Sequence, residues 1–106
     1  MNEVTLAKES YQLILKDFGL EEDSEIEEAK IAFDWLEKYL TMKVSYLLDH
    51  DFNGLLNALY RIDISESTAK KLLKLPAGDS IARDIAKAII EREKQKVITR
   101  QQFRKH

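Results

Sequence analysis

Cysteine is absent from the 106-residue sequence. Without a thiolate, the chain cannot hold a disulfide scaffold, a thiolate zinc site, an iron–sulfur cluster or a cysteine nucleophile. Only three glycines and one proline interrupt the chain, and no apolar run approaches the roughly 20 residues that a membrane helix needs. These absences exclude disulfide-rich, thiolate-metal and helical membrane-spanning classes of protein.

The sequence also contains none of the motifs that mark common catalytic sites, such as G-x-G-x-x-G, the P-loop, G-x-S-x-G or H-E-x-x-H. His50 and Asp51 form an adjacent pair of the kind that metal-dependent phosphohydrolases use. Such sites need several converging ligands, and the only other histidine is His106. Capping of a helix by Asp51 is the simpler interpretation. We therefore expect no catalytic residue, no metal, no cofactor and no enzymatic activity.

Hydrophobic residues make up 44% of the chain and charged residues 34%, a mixture that is typical of folded globular proteins. The length fits one domain, which we predict to span residues 1–106. The opening residues MNEVTLAKESY lack the basic start and the apolar run of a secretory signal. We therefore expect a cytoplasmic protein.

Helical periodicity dominates the apolar pattern, and no segment requires a strand. The fold class predicted is all-α: a compact bundle of five or six helices with a long C-terminal helix. Gly19 ends the first helix, Ser24 with Glu27 forms a capping box, and Asp51 caps a later helix. The helix predicted after that one is capped by Asp63 or by Ser65. The predicted helices are 3–18, 24–40, a short one at 43–49, 51–60, 65–75 and a long one from 79.

Two stretches, NALYRIDIS at 57–65 and EREKQKVITRQQFR at 91–104, resemble short uncharacterised helical proteins from bacteria. Together they cover less than a quarter of the chain, and neither is a catalytic signature. The resemblance implies a bacterial, cytoplasmic protein, and it brings no activity or site residue with it.

Charge is unevenly distributed along the chain. Residues 1–40 hold four Lys and eleven Asp or Glu, which gives −7, whereas residues 79–106 hold eight Lys or Arg and four acids, which gives +4. In the last helix, four basic residues recur at every fourth position and so share one face, although like charges at that spacing repel each other. We name this electrostatic contact row the basic ladder: Arg92, Lys96, Arg100 and Arg104.

The ladder continues the face on which Ile81, Ile85 and Ile89 lie, so the pattern predicts that the basic end, 92–106, projects beyond the core. Three partners fit it. The acidic row of Glu21, Glu25 and Glu28 could pair with it, within one molecule or across a dimer. Nucleic-acid phosphates and an acidic partner protein are the other two. A membrane fits poorly, because a surface-seeking helix needs a broad apolar face.

A second apolar face supports association with another chain. Ile31, Trp35 and Met42 lie roughly opposite the main apolar side of the predicted second helix, and a helix that is apolar on two sides is either central or covered by another chain. We therefore predict a non-enzymatic protein–protein interaction or adaptor module that forms a homodimer. The alternative is a small nucleic-acid-binding protein that uses the basic ladder. An enzymatic site of scattered Asp, Glu, Tyr and His50 side chains comes third.

Overall fold

Five α-helices account for most of the described chain in this computed structural model, which describes residues 2–22, 25–74 and 79–104. No strand occurs in those ranges, so the predicted all-α bundle with a long C-terminal helix is confirmed. The helices are α1 (Glu3–Phe18), α2 (Phe33–His50), α3 (Phe52–Ile62), α4 (Glu66–Leu73) and α5 (Asp79–Arg104).

The first helix begins and ends as its sequence predicts. The side chain of Asn2 accepts a hydrogen bond from the backbone N–H of Thr5 at 2.8 Å, which satisfies one free donor of the first turn. Gly19 has a φ of +67°, the left-handed conformation that glycine adopts without steric cost. The Leu20 N–H then donates to the Leu15 carbonyl at 2.8 Å, and the chain leaves the helix.

The helix predicted at 24–40 is wrong in its first half. Residues 28–30 form a single 3₁₀ turn, Ala32 is extended, and α2 begins only at Phe33. Six of the eight residues in EEDSEIEE are acidic, and like charges three or four positions apart destabilise a helix. Ser24, the predicted cap, lies outside the described residues. None of the described residues of the acidic segment is therefore part of an α-helix.

The predicted break after residue 40 is also wrong, because α2 continues without interruption to His50. The hydroxyl of Thr41 donates to the Glu37 carbonyl at 2.6 Å, so this polar side chain is satisfied within the helix. No glycine or proline occurs between Phe33 and His50. The short helix expected at 43–49 is thus the second half of α2.

Polar side chains separate the next two helices. Asp51 caps α3 by accepting a backbone hydrogen bond at 2.9 Å, and Ser65 caps α4 in the same way at 3.2 Å. Asp51 is the cap that the sequence predicts, and Ser65 is one of the two candidates for the second cap. Asp63 instead ends α3 in the left-handed conformation, with a φ of +69°. The predicted end of α4 at Pro76 and Gly78 lies outside the described residues.

The centre of the bundle is the contact between α2 and α5, which run in opposite directions. The Lys94 ammonium lies 5.1 Å from the centre of the Phe33 ring at the start of α2, and one turn later Arg83 Nε lies 3.0 Å from Glu37 Oε1. At about 1.5 Å per residue, the 26 residues of α5 give a helix about as long as the largest dimension of the molecule, 41 Å. The largest fully buried apolar side chains are Tyr11, Ile14, Leu36, Leu40, Val44, Leu55, Ile62, Ile85 and Ile89.

Replacing Leu40 with alanine should lower the free energy of unfolding by about 2–5 kcal/mol, because the lost side chain leaves a cavity in a close-packed core. Leu40 is 0% exposed. Chemical denaturation followed by circular dichroism measures the loss. Gln95→Ala, at an exposed position of α5, should change stability by less than about 0.5 kcal/mol. Equal effects of the two substitutions would contradict the described packing of α2.

Candidate functional site

The first two members of the basic ladder bind the ends of neighbouring helices. Arg92 Nη2 lies 3.2 Å from Asp63 Oδ2, and Arg92 Nε donates to the Asp63 carbonyl at 3.3 Å. Lys96 Nζ lies 3.1 Å from Asp17 Oδ2 and 3.5 Å from the Ile62 carbonyl. These partners lie where α1 and α3 end. Cations are favoured there by the partial negative charge of a helix C-terminus.

The rest of the ladder is in a different environment. Arg100 is exposed and lies at the edge of a cleft between α1 and α5. The side chain of Arg104 lies outside the described residues. The ladder is therefore not a single contact row in the structure. Arg92 and Lys96 hold the fold together, whereas Arg100 remains open to a ligand.

Helix α5 stays on the bundle beyond Arg92, further than the predicted projection of residues 92–106. Glu93 is 0% exposed and Val97 is 4% exposed, so two more turns of the helix face the interior. These residues follow Ile89 at intervals of four and continue the apolar face, which the ladder flanks rather than replaces.

A buried carboxyl group is the feature that sequence reasoning missed. Burial raises the pKa of Glu93 to about 8, and a hydrogen bond to Asp17 together with the negative charge of that residue acts in the same direction. Lys96 Nζ, 3.7 Å from Glu93 Oε1, opposes the increase. At neutral pH Glu93 therefore keeps its proton beside the negatively charged Asp17. In the sequence, Glu93 stands four residues after Ile89 and four before Val97, on the apolar face of α5, and this spacing was the available sign that its side chain is buried.

Asp17 takes the ionised role in this pair. Burial alone raises the pKa of Asp17, but hydrogen bonds from Glu93 and Lys96 outweigh burial and leave that pKa below its ordinary value. One proton, one carboxylate charge and one ammonium charge thus occupy the same partly buried region. The arrangement keeps the net charge there close to zero, which is the condition for placing ionisable groups away from water.

The three apolar residues predicted to form one interface lie in different environments. Ile31 is 5% exposed and belongs to the core, whereas Met42 is 61% exposed. Trp35 is half-buried, with the Tyr11 ring meeting it edge-on at 5.3 Å and the Tyr39 ring stacked on it at 5.0 Å. Ile31 is therefore removed from the predicted surface, because it lies on the extended segment before α2 and points into the bundle.

The outer side of α2 nevertheless carries a line of large side chains. At 100° per residue, four of them lie within an arc of about 60°. Met42 and Tyr46 are 61% and 60% exposed, and the Tyr46 ring stacks on His50 at 4.5 Å. We name the four residues the α2 stripe: Trp35, Tyr39, Met42 and Tyr46.

A second surface feature is a cleft of about 350 Å³ between α1 and α5, which we name the α1–α5 cleft. Leu13 and Val97 contribute apolar surface to it although they are only 6% and 4% exposed. This volume falls within the range of ligand-binding clefts, roughly 300–1,000 Å³. The charged and polar lining residues are Lys8, Glu9, Gln12, Lys16, Glu28, Arg100 and Gln101.

His50 and Asp51 have local roles. A ring nitrogen of His50 lies 3.1 Å from the Tyr46 carbonyl, and Asp51 caps α3. Within the described ranges, no three His, Asp or Glu side chains come together in a way that could hold a metal ion. None of the described helices combines the length and the apolar character that crossing a bilayer requires.

No protein-family model matches the chain, and no curated protein or solved structure is detectably similar to it. The resemblance to short bacterial proteins therefore stays a prediction.

Glu93→Gln should remove a pH dependence of stability. The pKa of Glu93 is about 8 in the folded protein against an ordinary value of 4.5, so the folded state binds a proton that the unfolded state releases between these values. The stabilisation is complete below pH 4.5 and is lost as pH rises towards 8, by up to about 1.4 kcal/mol per pH unit. Glutamine copies the neutral acid, so the variant should match the wild type near pH 5 and exceed its stability by more than about 1 kcal/mol near pH 8.5.

Urea denaturation across this pH range measures the difference. Glu91 is an exposed acid on the same helix, so Glu91→Gln is the matched control. Its free energy of unfolding should change with pH in the same way as that of the wild type. Parallel curves for Glu93→Gln as well would show that Glu93 does not hold a proton in the fold.

Lys96→Met should destabilise the protein by about 2–3 kcal/mol, because it leaves Asp17 and Glu93 without their cation in a largely buried region. Arg100→Met removes an exposed charge and should change stability by less than about 0.5 kcal/mol. Thermal and urea unfolding at neutral pH measure both. Equal losses would contradict the division of the ladder into a structural part and an open part.

Proposed function

We propose that the protein is a non-enzymatic interaction module that forms a homodimer through the α2 stripe. The observation that carries the proposal is the exposure of Met42 and Tyr46 in line with the half-buried rings of Trp35 and Tyr39. Aligned large apolar side chains on one exposed face are typical of contact surfaces. Tyr, Trp and Met are also the residue types enriched at the centre of interfaces.

The stripe is held in place before any partner arrives. The Tyr11 ring packs edge-on against both Trp35 and Tyr39, at 5.3 and 5.7 Å, and the Lys43 ammonium lies 5.6 Å from the centre of the Tyr39 ring. Aromatic side chains that are already fixed lose little conformational entropy on binding. This rigidity favours the stripe as a contact surface over the isolated exposed side chains elsewhere.

Charge on the flank of the stripe favours a second copy as the partner. Lys38 and Asp49 lie on the same side of the stripe, are exposed, and form no salt bridge among the described residues. They are eleven residues, about three helical turns, apart. If two α2 helices pair in opposite directions about a two-fold axis midway between these two residues, at the level of Lys43 and Val44, Lys38 of each copy faces Asp49 of the other. Symmetric pairing thus gives two complementary contacts at once.

The alternative role, nucleic-acid binding through the basic ladder, has weaker support. Phosphate binding requires free basic side chains in a row. Arg92 is held by Asp63 and Lys96 by Asp17. We therefore favour an interaction module that forms a homodimer over a nucleic-acid-binding protein.

The double substitution Met42→Glu and Tyr46→Glu should convert a dimer into a monomer. Two carboxylates in each copy would face two in the other, and like charges without water repel strongly. Light scattering after gel filtration, at tens of micromolar protein, measures the mass. Trp35, the only tryptophan, should move its emission to longer wavelength when the dimer dissociates.

Tyr60→Glu is the matched control, because Tyr60 is 67% exposed on α3 and lies outside the stripe. This variant should remain a dimer, and all three proteins should give the same helical circular dichroism. A monomeric wild type at these concentrations, or dissociation of the control, would overturn the proposal.

A further inference from the structure

We infer that the α1–α5 cleft is a second interaction surface, which binds an acidic segment of a partner protein carrying an apolar side chain. The cleft combines an apolar base with basic side chains on both of its sides. This inference does not depend on dimer formation, because none of the residues that line the cleft belongs to the α2 stripe.

The base of the cleft is apolar and its rims are cationic. Leu13 of α1 and Val97 of α5 line it and are almost fully buried in the fold. Lys16 of α1 and Arg100 of α5 also line it, and both are exposed. Neither cation forms a salt bridge within the described parts of the chain. An apolar side chain with a carboxylate nearby matches this arrangement.

Carboxylates of the protein itself do not cancel the positive charge of the cleft. Glu28 lies in the lining but is paired with Lys8, whose Nζ is 3.5 Å from Glu28 Oε1. Glu9 is the other acid of the lining. With Lys16 and Arg100 counted against Glu9, one positive charge remains. A partner that brings carboxylates is therefore favoured over a basic one.

The chain itself demonstrates how α1 binds a segment of this chemistry. Its own acidic segment contributes Glu22, Ile26, Glu28 and Ile31 to a neighbouring groove of about 180 Å³, which Lys8, Tyr11 and Gln12 of α1 also line. There Gln12 donates to Glu22 at 3.1 Å, while Ile31 is buried in the core and Ile26 packs against it. Acidic and apolar side chains thus alternate along one side of α1.

The α1–α5 cleft continues this groove on the other side of the same residues. Lys8, Gln12 and Glu28 line both the groove and the cleft. The chain's own segment forms one wall of the groove, whereas the cleft offers a further apolar base and two further cations. A second acidic segment can therefore dock beside the first one by the same kinds of contact.

Two amides favour a peptide over a fatty acid or a phosphate compound as the occupant. Gln12 of α1 and Gln101 of α5 lie on the two sides of the cleft. A side-chain amide both donates and accepts hydrogen bonds, which matches the N–H and C=O groups of an extended backbone. A lipid chain or a phosphate group would use only some of the hydrogen-bond donors and acceptors of these two amides.

The test is a fluorescence-anisotropy titration with a labelled peptide, LEEDSEIEEA, which copies residues 20–29 of the chain. A second peptide, in which every Asp and Glu is replaced by its amide, is the ligand control. The acidic peptide should bind the full-length protein, and the amide peptide should bind at least about tenfold more weakly, because it lacks charge-assisted contacts.

Lys16→Glu combined with Arg100→Glu should weaken binding of the acidic peptide by at least about tenfold. Arg100→Glu alone, which avoids the neighbourhood of Asp17, should give a smaller loss in the same direction. Lys71→Glu combined with Lys74→Glu makes the same change of net charge on exposed positions at the end of α4. This control should bind like the wild type, and circular dichroism confirms that each variant is folded.

Several results would overturn the inference. These are no binding to the folded wild type, equal weakening in the α4 control, or equal binding of the amide peptide. Amide-proton NMR locates the ligand: shifts at Leu13, Val97 and Gln101 support the cleft. Shifts confined to Ile26 and Ile31 would mean that the peptide replaces the chain's own segment, which also overturns it.

The same titration on the Met42→Glu and Tyr46→Glu variant separates this inference from the proposed dimer. Binding that persists in this variant supports a cleft that works in each copy alone. A single-stranded oligonucleotide that binds more tightly than the peptide, with the same loss in the Lys16 and Arg100 variant, would replace the peptide by nucleic acid and overturn the inference.

Discussion

A carboxyl group inside an apolar core must be neutral or compensated, and Glu93 is both protonated and close to a cation. The negative charge of Asp17 favours the protonated form of Glu93, and Lys96 in turn balances the charge of Asp17. Lys96 also reaches the Ile62 carbonyl, and Arg61 reaches the Asp17 carbonyl at 3.4 Å. The C-terminal ends of α1 and α3 are thereby fixed against the middle of α5.

This polar junction determines which surfaces remain for binding. It occupies Lys96, and the neighbouring pair of Arg92 and Asp63 occupies another member of the ladder. Because α5 is held on α1 as far as Val97, the two helices enclose the α1–α5 cleft just beyond that point, with Arg100 at its edge. The α2 stripe lies on a different helix, so two surfaces of different chemistry are available on one small bundle. That combination is what an adaptor requires.

Features that depend on residues close together in the chain can be predicted from the sequence better than features that depend on residues far apart. Gly19, Asp51 and Ser65 were recognised because a cap is a contact between residues three or four positions apart. The predicted helix start at Ser24 is wrong, because the repulsion of six carboxylates opposes a helix in the acidic segment before α2. Of the three residues predicted to form one apolar surface, Met42 is exposed, Trp35 is half-buried and Ile31 belongs to the core. The α1–α5 cleft was not predicted, since its lining comes from three separate parts of the chain.

The sequence by itself determined the helical class, most of the helix ends, the apolar face of α5 and the position of the basic ladder, because all of these follow from local spacing. Tertiary structure alone decided the protonation of Glu93 and the partners of Arg92 and Lys96, and it left Arg100 beside a cleft. These outcomes depend on burial and on distances between residues as far apart in the chain as Asp17 and Lys96. Electrostatic energy is set by position and by exclusion of water, and a sequence pattern contains neither until the helices have packed.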